Sequence, residues 1–149
     1  MRAVIQRVTS AQVRVDGHIT GSIGPGLVVL LGVDKLDSSR DVFWLADKTV
    51  NLRIFEDSGG KMNLSLLATG GSMLIISQFT LLGDCRKGRR PSWSSAAPPK
   101  LANSLYRDFI SAVREHGVSC ETGKFQATMD VSLVNSGPVT MLLDSHKHF

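Results

Sequence analysis

Ser77, Gln78 and Thr80 put three hydrogen-bonding side chains into four residues, directly after the aliphatic run Met73-Leu-Ile-Ile76. Such a run reads as a strand that should be buried, where an unpaired polar group costs about 1–3 kcal/mol. A strand over Met73–Leu81 therefore needs partners for these groups, from the fold or from a ligand. A strand end that reaches solvent or caps a turn would also satisfy them. Ser77 and Thr80 carry potential nucleophiles, provided a base activates them. The four histidines, His18, His116, His146 and His148, fall beside a turn, at a helix end and in the C-terminal tail. None is brought near Ser77 by anything in the sequence, so a conventional triad is disfavoured. His146-Lys-His148 reads as a frayed polar tail, and no metal site is expected.

Arg86, Lys87, Arg89 and Arg90 crowd into five residues just beyond, with Trp93 close behind. Cations pair with phosphates and a ring stacks on a base, as single-stranded RNA binding requires. The alternative is a solvated loop anchored by its Trp. Asn135-Ser-Gly-Pro138 is either a plain turn or a stiff loop whose carbonyls have no competing proline N–H beside them. Gly21–Gly26 lacks the Lys-Ser/Thr of a P-loop, so no phosphate cradle is present. Carboxylates are scattered, and Asp130 lies out of phase with its apolar neighbours, which points it to solvent.

The elements that must hold these residues follow from pattern. Val4 to Val15 alternates, with Ala11, Val13 and Val15 on one face. Asp16-Gly17 then signals a hairpin into His18–Thr20. Gly24-Pro25-Gly26 is a turn, and Leu27–Leu31 a central strand buried on both faces. Ser38 caps a helix to about Asn51, its inward face Val42, Leu45, Ala46 and Thr49. Leu52–Phe55 reads as a short strand and Glu56–Gly60 as a hairpin loop. After a loop from Gly83 to Pro98, Pro98-Pro99 opens a second helix with Leu101, Leu105, Phe109, Ala112 and Val113 inward, ended by Gly117. Ala127, Met129, Val131 and Leu133 alternate as a half-buried strand, Asn135–Pro138 interrupts, and Val139–Leu143 forms a final strand.

At 149 residues, 42% hydrophobic and 20% charged, the chain has the makings of one α+β domain over residues 1–149 with a core of its own. No apolar stretch approaches the roughly 18 residues of a membrane span. Met1–Val8 alternates like a strand instead of forming a secretory leader. Two distant cysteines, Cys85 and Cys120, suit a reducing cytoplasm. The net charge of +4 favours a polyanionic partner.

The motifs together resemble the D-aminoacyl-tRNA deacylases. The resemblance spans essentially the whole chain: Met1-Arg-Ala-Val-Ile-Gln-Arg-Val8, Ser77-Gln-Phe-Thr-Leu81, Arg90-Pro-Ser92, Thr122–Met129 and Asn135-Ser-Gly-Pro-Val-Thr140. It implies a compact β-rich domain of mostly antiparallel or mixed sheet, barrel-like, with two helices, working as a homodimer without a cofactor. It implies hydrolysis of the ester between a D-amino acid, and glycine too, and the 3′ end of tRNA. The implied active site lies between subunits, with Ser77, Gln78, Phe79 and Thr80 of one facing Gly137 and Pro138 of the other. There the Gly-Pro bond is cis, and Arg7 helps hold the loop. Phe125, Ala127 and Met129 match the pocket for the terminal adenosine, while Arg86, Lys87, Arg89 and Arg90 would meet the tRNA backbone. The chain departs from the family pattern at Gln126, Thr128 and Ser136.

Two mechanisms remain open at this point: Thr80 attacks the ester, or the site is a backbone scaffold for water assisted by the terminal ribose 2′-hydroxyl. Two other functions compete, a non-catalytic RNA-binding module and a hydrolase of small amino-acid esters.

Overall fold

The structure is a computed structural model describing residues 1–149. Strand β1 (Arg2–Val15) is the spine. Its first half pairs with β3 (Gly26–Gly32), from Arg2↔Gly32 to Val8↔Gly26, and its second half with β2 (His18–Ile23), both antiparallel. Along its other edge runs β8 (Asp130–Asp144), also antiparallel. The turn between β1 and β2 has Asp16 at φ 51° and Gly17 at φ 78°, the left-handed pair a tight hairpin requires.

Beyond β3 the sheet becomes parallel, with β6 (Ser72–Ser77) against β3 and β7 (Cys120–Thr122) against β6. β2 curls back toward β6 and β7, so the mixed sheet nearly closes into a barrel. Gly21 permits that approach, since a Cβ there would lie 2.8 Å from the Thr122 carbonyl oxygen. The period-2 alternation of strands then sorts the core. Val13, Ile23, Val28, Leu74 and Ile76 fill the barrel interior. Leu27, Val29, Leu31, Met73 and Ile75 face outward against helices α1 (Ser39–Asn51) and α3 (Pro99–Glu115). This is why β3 and β6 are aliphatic on both faces.

α1 begins where Ser38 donates its N–H and hydroxyl to the Asp41 carboxylate, and it buries Val42, Leu45, Ala46, Thr49 and Val50. α3 starts on Pro98-Pro99 and stops at Gly117, φ 84°, burying Leu105, Phe109, Ala112 and Val113 as expected. Tyr106 and Ile110 extend that stripe.

Several expectations need correction. Besides the two long helices there is a third, α2 (Leu66–Thr69), one turn capped by the Ser65 hydroxyl. The strand expected over Leu52–Phe55 is the two-residue β4 (Phe55–Glu56), pairing with β5 (Met62–Leu64), because Arg7 claims the Ile54 carbonyl. The Met73–Leu81 strand stops at Ser77 and gives way to a 3-10 turn, Phe79–Leu82. Residues 127–129 precede β8, and Asn135–Pro138 does not end that strand: it is a bulge within it. Nor is the C-terminal tail frayed. His146 Nε2 lies 2.9 Å from Asp37, His148 Nδ1 lies 3.2 Å from Asp144, and the two rings stack. No helix is long and apolar enough to cross a membrane.

Asp144 closes the β1–β8 ladder. Burial alone would raise its pKa, but hydrogen bonds from the His146 N–H, Arg2 and His148, with the N-terminal charge, outweigh burial and lower it below the ordinary 3.8. A depressed carboxylate stabilises the fold above its unfolded pKa, and that contribution is lost as pH falls through the folded value. Asp144→Asn is therefore expected to destabilise the protein at pH 7 by about 1.5–3 kcal/mol, the range for hydrogen bonds to charged groups. It should also flatten the loss of stability below pH about 4. Urea unfolding at a series of pH values measures both, and an unchanged acid limb would refute the role.

Candidate active site

The last sheet bond of β6 runs from the Gln78 N–H to the Leu31 carbonyl, 2.8 Å. The chain then leaves the sheet and folds down onto Gly32. A Cβ at Gly32 would meet Leu82 Cδ2 at 2.6 Å and the Gln78 carbonyl oxygen at 2.9 Å, so only glycine admits the turn. Within it Leu81 N–H donates to the Gln78 carbonyl (3.3 Å) and Gly83 N–H to the Thr80 carbonyl (3.0 Å). An i→i+3 turn has no internal acceptor for its first N–H groups, which here belong to Phe79 and Thr80. The Gln78 side-chain amide donates to the Thr80 hydroxyl.

This wall borders a cleft of about 630 Å³. Ser77, Gln78 and Phe79 line one side, and the turn Phe125–Met129 lines the other. Leu31, Val33, Ile76 and Val131 make the floor, with Ala96, Ala97, Pro99 and Ala102 from the α3 approach at the rim. Gln126 sits at φ 62°, an uncommon conformation for a residue with a side chain. Gly123 lets Met129 fold inward, since a Cβ there would fall 2.4 Å from Met129 Sδ. The Phe125 ring lies 5.9 Å from that of Tyr106, whose hydroxyl donates 2.8 Å to the Ile75 carbonyl. Burial pushes Tyr106 up to about 12, so it stays neutral and structural. No histidine or carboxylate lines the cleft.

The structure thus joins Ser77, Gln78 and Phe79 with Phe125, Ala127 and Met129. It leaves Thr80, Arg7, Gly137 and Pro138 out of the cleft lining. On one edge of β1, Gln6 pairs with Thr140 and Val8 with Asn135, so Arg7 alone opposes the four residues of the bulge. The Gly137-Pro138 bond is cis. Arg7, 8% exposed, donates from Nε to the Ser136 carbonyl (3.1 Å) and from Nη1 to the Ile54 carbonyl (2.8 Å). The Asn135 side chain accepts the Val139 N–H (3.0 Å) and donates to the Thr140 hydroxyl (3.1 Å), closing the base of the bulge. Gly137 has φ 123°, and a Cβ there would lie 2.9 Å from Arg7 Nη2.

The basic loop is closed at its neck by reciprocal bonds between Asp84 and Ser92, 2.8 and 2.9 Å. Arg86 is paired with Asp84 through 2.9 and 2.7 Å bonds that hold the carboxyl far below its usual range. Lys87, Arg89 and Arg90 are exposed and make no ion pair, so three of the four cations stay available. Elsewhere, Asp37, Asp41 and His146 present ligand atoms within 4.8 Å of one another. The Met1 amine and the Ser145 hydroxyl already donate to these carboxylates, which accounts for the cluster without a cation.

Sequence reasoning missed Tyr106, the bonds of Asn135 and the left-handed backbone of Gln126, whose place beside the adenosine pocket the family resemblance already implied. Tyr106 could have been found as a hydroxyl on the apolar stripe of α3. Asn135 was visible only as a turn residue, and glutamine carries no signal for a left-handed conformation.

The sequence model of the family described as D-Tyr-tRNA(Tyr) deacylase matches residues 4–144. Proteins named D-aminoacyl-tRNA deacylase from Fervidobacterium nodosum and Thermosipho africanus are 63% and 60% identical to this chain over 149 residues, covering 100% of both partners in each case. Among solved structures, a c-Myc DNA unwinding element binding protein superposes with TM-score 0.91 at 38% identity, over 97% of this chain and 98% of that one. A probable eukaryotic D-amino acid tRNA deacylase shares the fold, with TM-score 0.81 at 18% identity over 95% and 97%. With the family's model matched over residues 4–144 and full-length relatives at this identity, the chain belongs to the D-Tyr-tRNA(Tyr) deacylase family.

Proposed function

We propose that this protein hydrolyses the ester between a D-amino acid, or glycine, and the 3′ end of tRNA, and spares L-aminoacyl esters. The observation that carries this reading is the cleft itself: on one side a 3-10 turn that leaves the Phe79 and Thr80 N–H groups without an internal acceptor, on the other an aromatic pocket, and no histidine or carboxylate in the lining. An aminoacyl ester is already activated, so positioning and oxyanion stabilisation suffice. The N–H groups of Phe79 and Thr80 are suited to the developing oxyanion, and one such donor is typically worth about 10²–10³ in rate. Phe125, Ala127 and Met129 would hold the terminal adenosine, and Lys87, Arg89 and Arg90 the tRNA backbone, with Arg86 held back by Asp84.

Selectivity requires a second subunit. The bulge of one chain does not line its own cleft, so Gly137 and Pro138 would act on the cleft of a homodimeric partner. Their carbonyls accept bonds from the substrate ammonium. With ammonium and ester both held, a D side chain or a glycine hydrogen points outward, while an L side chain meets rigid backbone. Exclusion by main chain leaves side-chain identity largely unread. The role that follows is chiral proofreading of charged tRNA in the cytoplasm.

The nucleophile is water, assisted by the ribose 2′-hydroxyl. The Thr80 hydroxyl already accepts a bond from Gln78, and Thr80 is not among the residues that line the cleft. Thr80→Ala is expected to keep hydrolysis of D-Tyr-tRNA within about tenfold of the parent, about 1.4 kcal/mol of barrier. A loss of several orders of magnitude with binding intact would make Thr80 the nucleophile. The whole reading is tested by comparing release of D-Tyr and L-Tyr from charged tRNA, with the free esters alongside. Release of D-Tyr from tRNA alone supports it. No release from any substrate would leave an RNA-binding module, and release from free esters alone a small-ester hydrolase.

A further inference from the structure

Phe79, which lines the cleft, and Trp93, which does not, form an exposed aromatic pair at its mouth. Their ring centroids are 5.3 Å apart at 66°, an edge-on contact. Phe79 is 58% exposed and Trp93 41%, so a face of the pair is open to solvent. Isolated exposed hydrophobic residues need no explanation, but two large rings joined at the edge of a cleft make a continuous apolar platform. Trp93 is also held in place from beneath. A Cβ at Gly83 would fall 2.6 Å from its Cζ3, and the Asp84–Ser92 bridge fixes the residue just before it. A ring needed only to anchor the loop would turn its open face inward.

We infer that the Phe79–Trp93 pair stacks the nucleobase of the nucleotide preceding the terminal one in a single-stranded RNA 3′ end. The inference rests on the proposed deacylase reading, which puts the terminal adenosine against Phe125. Phe79 belongs to both surfaces: it lines the cleft and carries Trp93 on its outer side. A strand leaving the cleft past Phe79 meets Trp93 next and then the loop bearing Lys87, Arg89 and Arg90. Rings for bases followed by unpaired cations for phosphates is the arrangement that single-strand binding uses, and it tolerates any base. An acidic peptide could match the cations but would leave the flat rings unused.

The test is binding of the trinucleotide CCA against adenosine 5′-monophosphate, by calorimetry, to the intact protein. The trinucleotide is expected to bind about tenfold more tightly, the increment of one stacked base. In a Trp44→Phe background, where Trp93 is the sole tryptophan, the trinucleotide should quench its emission and the monophosphate should not. Trp93→Leu should lose the tenfold increment while keeping its affinity for the monophosphate, which also shows that the cleft is folded. Trp93→Phe should retain most of it. Equal affinity for the two ligands in the parent, or an increment that survives Trp93→Leu, would overturn the platform. Release of D-Tyr from charged tRNA is scored separately, so a failed platform and a failed deacylase reading give different results.

Discussion

Replacing Phe79 with proline is expected to slow D-Tyr-tRNA hydrolysis by about 10²–10³-fold while leaving the fold intact, the usual penalty for deleting one oxyanion donor. Proline removes a single backbone N–H, and at Phe79 that group opens a 3-10 turn whose first internal bond begins only at Leu81. Proline is well tolerated at the first position of such a turn, where its N–H would be unpaired anyway. The residue ahead of it must avoid the helical region, and Gln78 already does, at φ −143° and ψ 81°. Phe79→Ala is the control, since it removes the ring and keeps the donor. A fall in kcat confined to the proline variant identifies the N–H as catalytic. Equal losses in the two variants would transfer the effect to the ring and refute the oxyanion assignment.

An oxyanion site built from main chain would explain why side chains in the cleft give so weak a chemical signature. The tools available to the Ser77–Thr80 segment are mostly main chain, and main chain is the same in every sequence. What the sequence can carry is permission for a backbone path. Gly32 lets the turn descend, Gly83 seats Trp93 and Gly123 admits Met129. Each is a glycine because a Cβ would collide, not because of any chemistry at the glycine itself.

Much of the scaffold was legible for related reasons. Asp16-Gly17, Ser38 and Pro98-Pro99 are local signals, each satisfied within a few residues, and each appears where expected. The strand over Met73–Leu81 was read too long because Leu81 and Leu82 continue the apolar pattern, although Leu82 is buried by the 3-10 turn and not by a strand. The bulge was read as an interruption because Asn-Ser-Gly-Pro has turn chemistry. Its continuity comes from Arg7, far away in sequence, which fills the gap in the ladder and bonds the Ser136 carbonyl. Partners so distant leave no local trace. The grouping of Ser77–Phe79 with Phe125–Met129 was legible only through the family resemblance, since it depends on how β7 and the chain beyond it lie against β6.

The bulge also yields the test that separates one subunit from two. Gly137→Ala is expected to reduce D-Tyr-tRNA hydrolysis by at least about 100-fold, because displacing a positioning group by roughly 1 Å can have that effect. At φ 123° an alanine is strained, and its Cβ would press on Arg7 Nη2 at 2.9 Å and Val139 Cγ2 at 2.8 Å. Arg7 cannot yield easily, being held by the Ser136 and Ile54 carbonyls, so the loop itself must move. Its cleft is untouched. The Phe79→Pro chain has the complementary defect, an intact bulge beside a damaged cleft. If the bulge acts on the partner's cleft, unfolding and refolding the two variants together creates hybrid dimers with one wholly intact site and one doubly damaged. With random pairing in a two-fold dimer, about a quarter of parental activity should return. A bulge that served its own cleft would leave every hybrid site carrying one defect, and the mixture would stay as inactive as its components. That result, with dimers present by sedimentation, would end the proposal of a shared site.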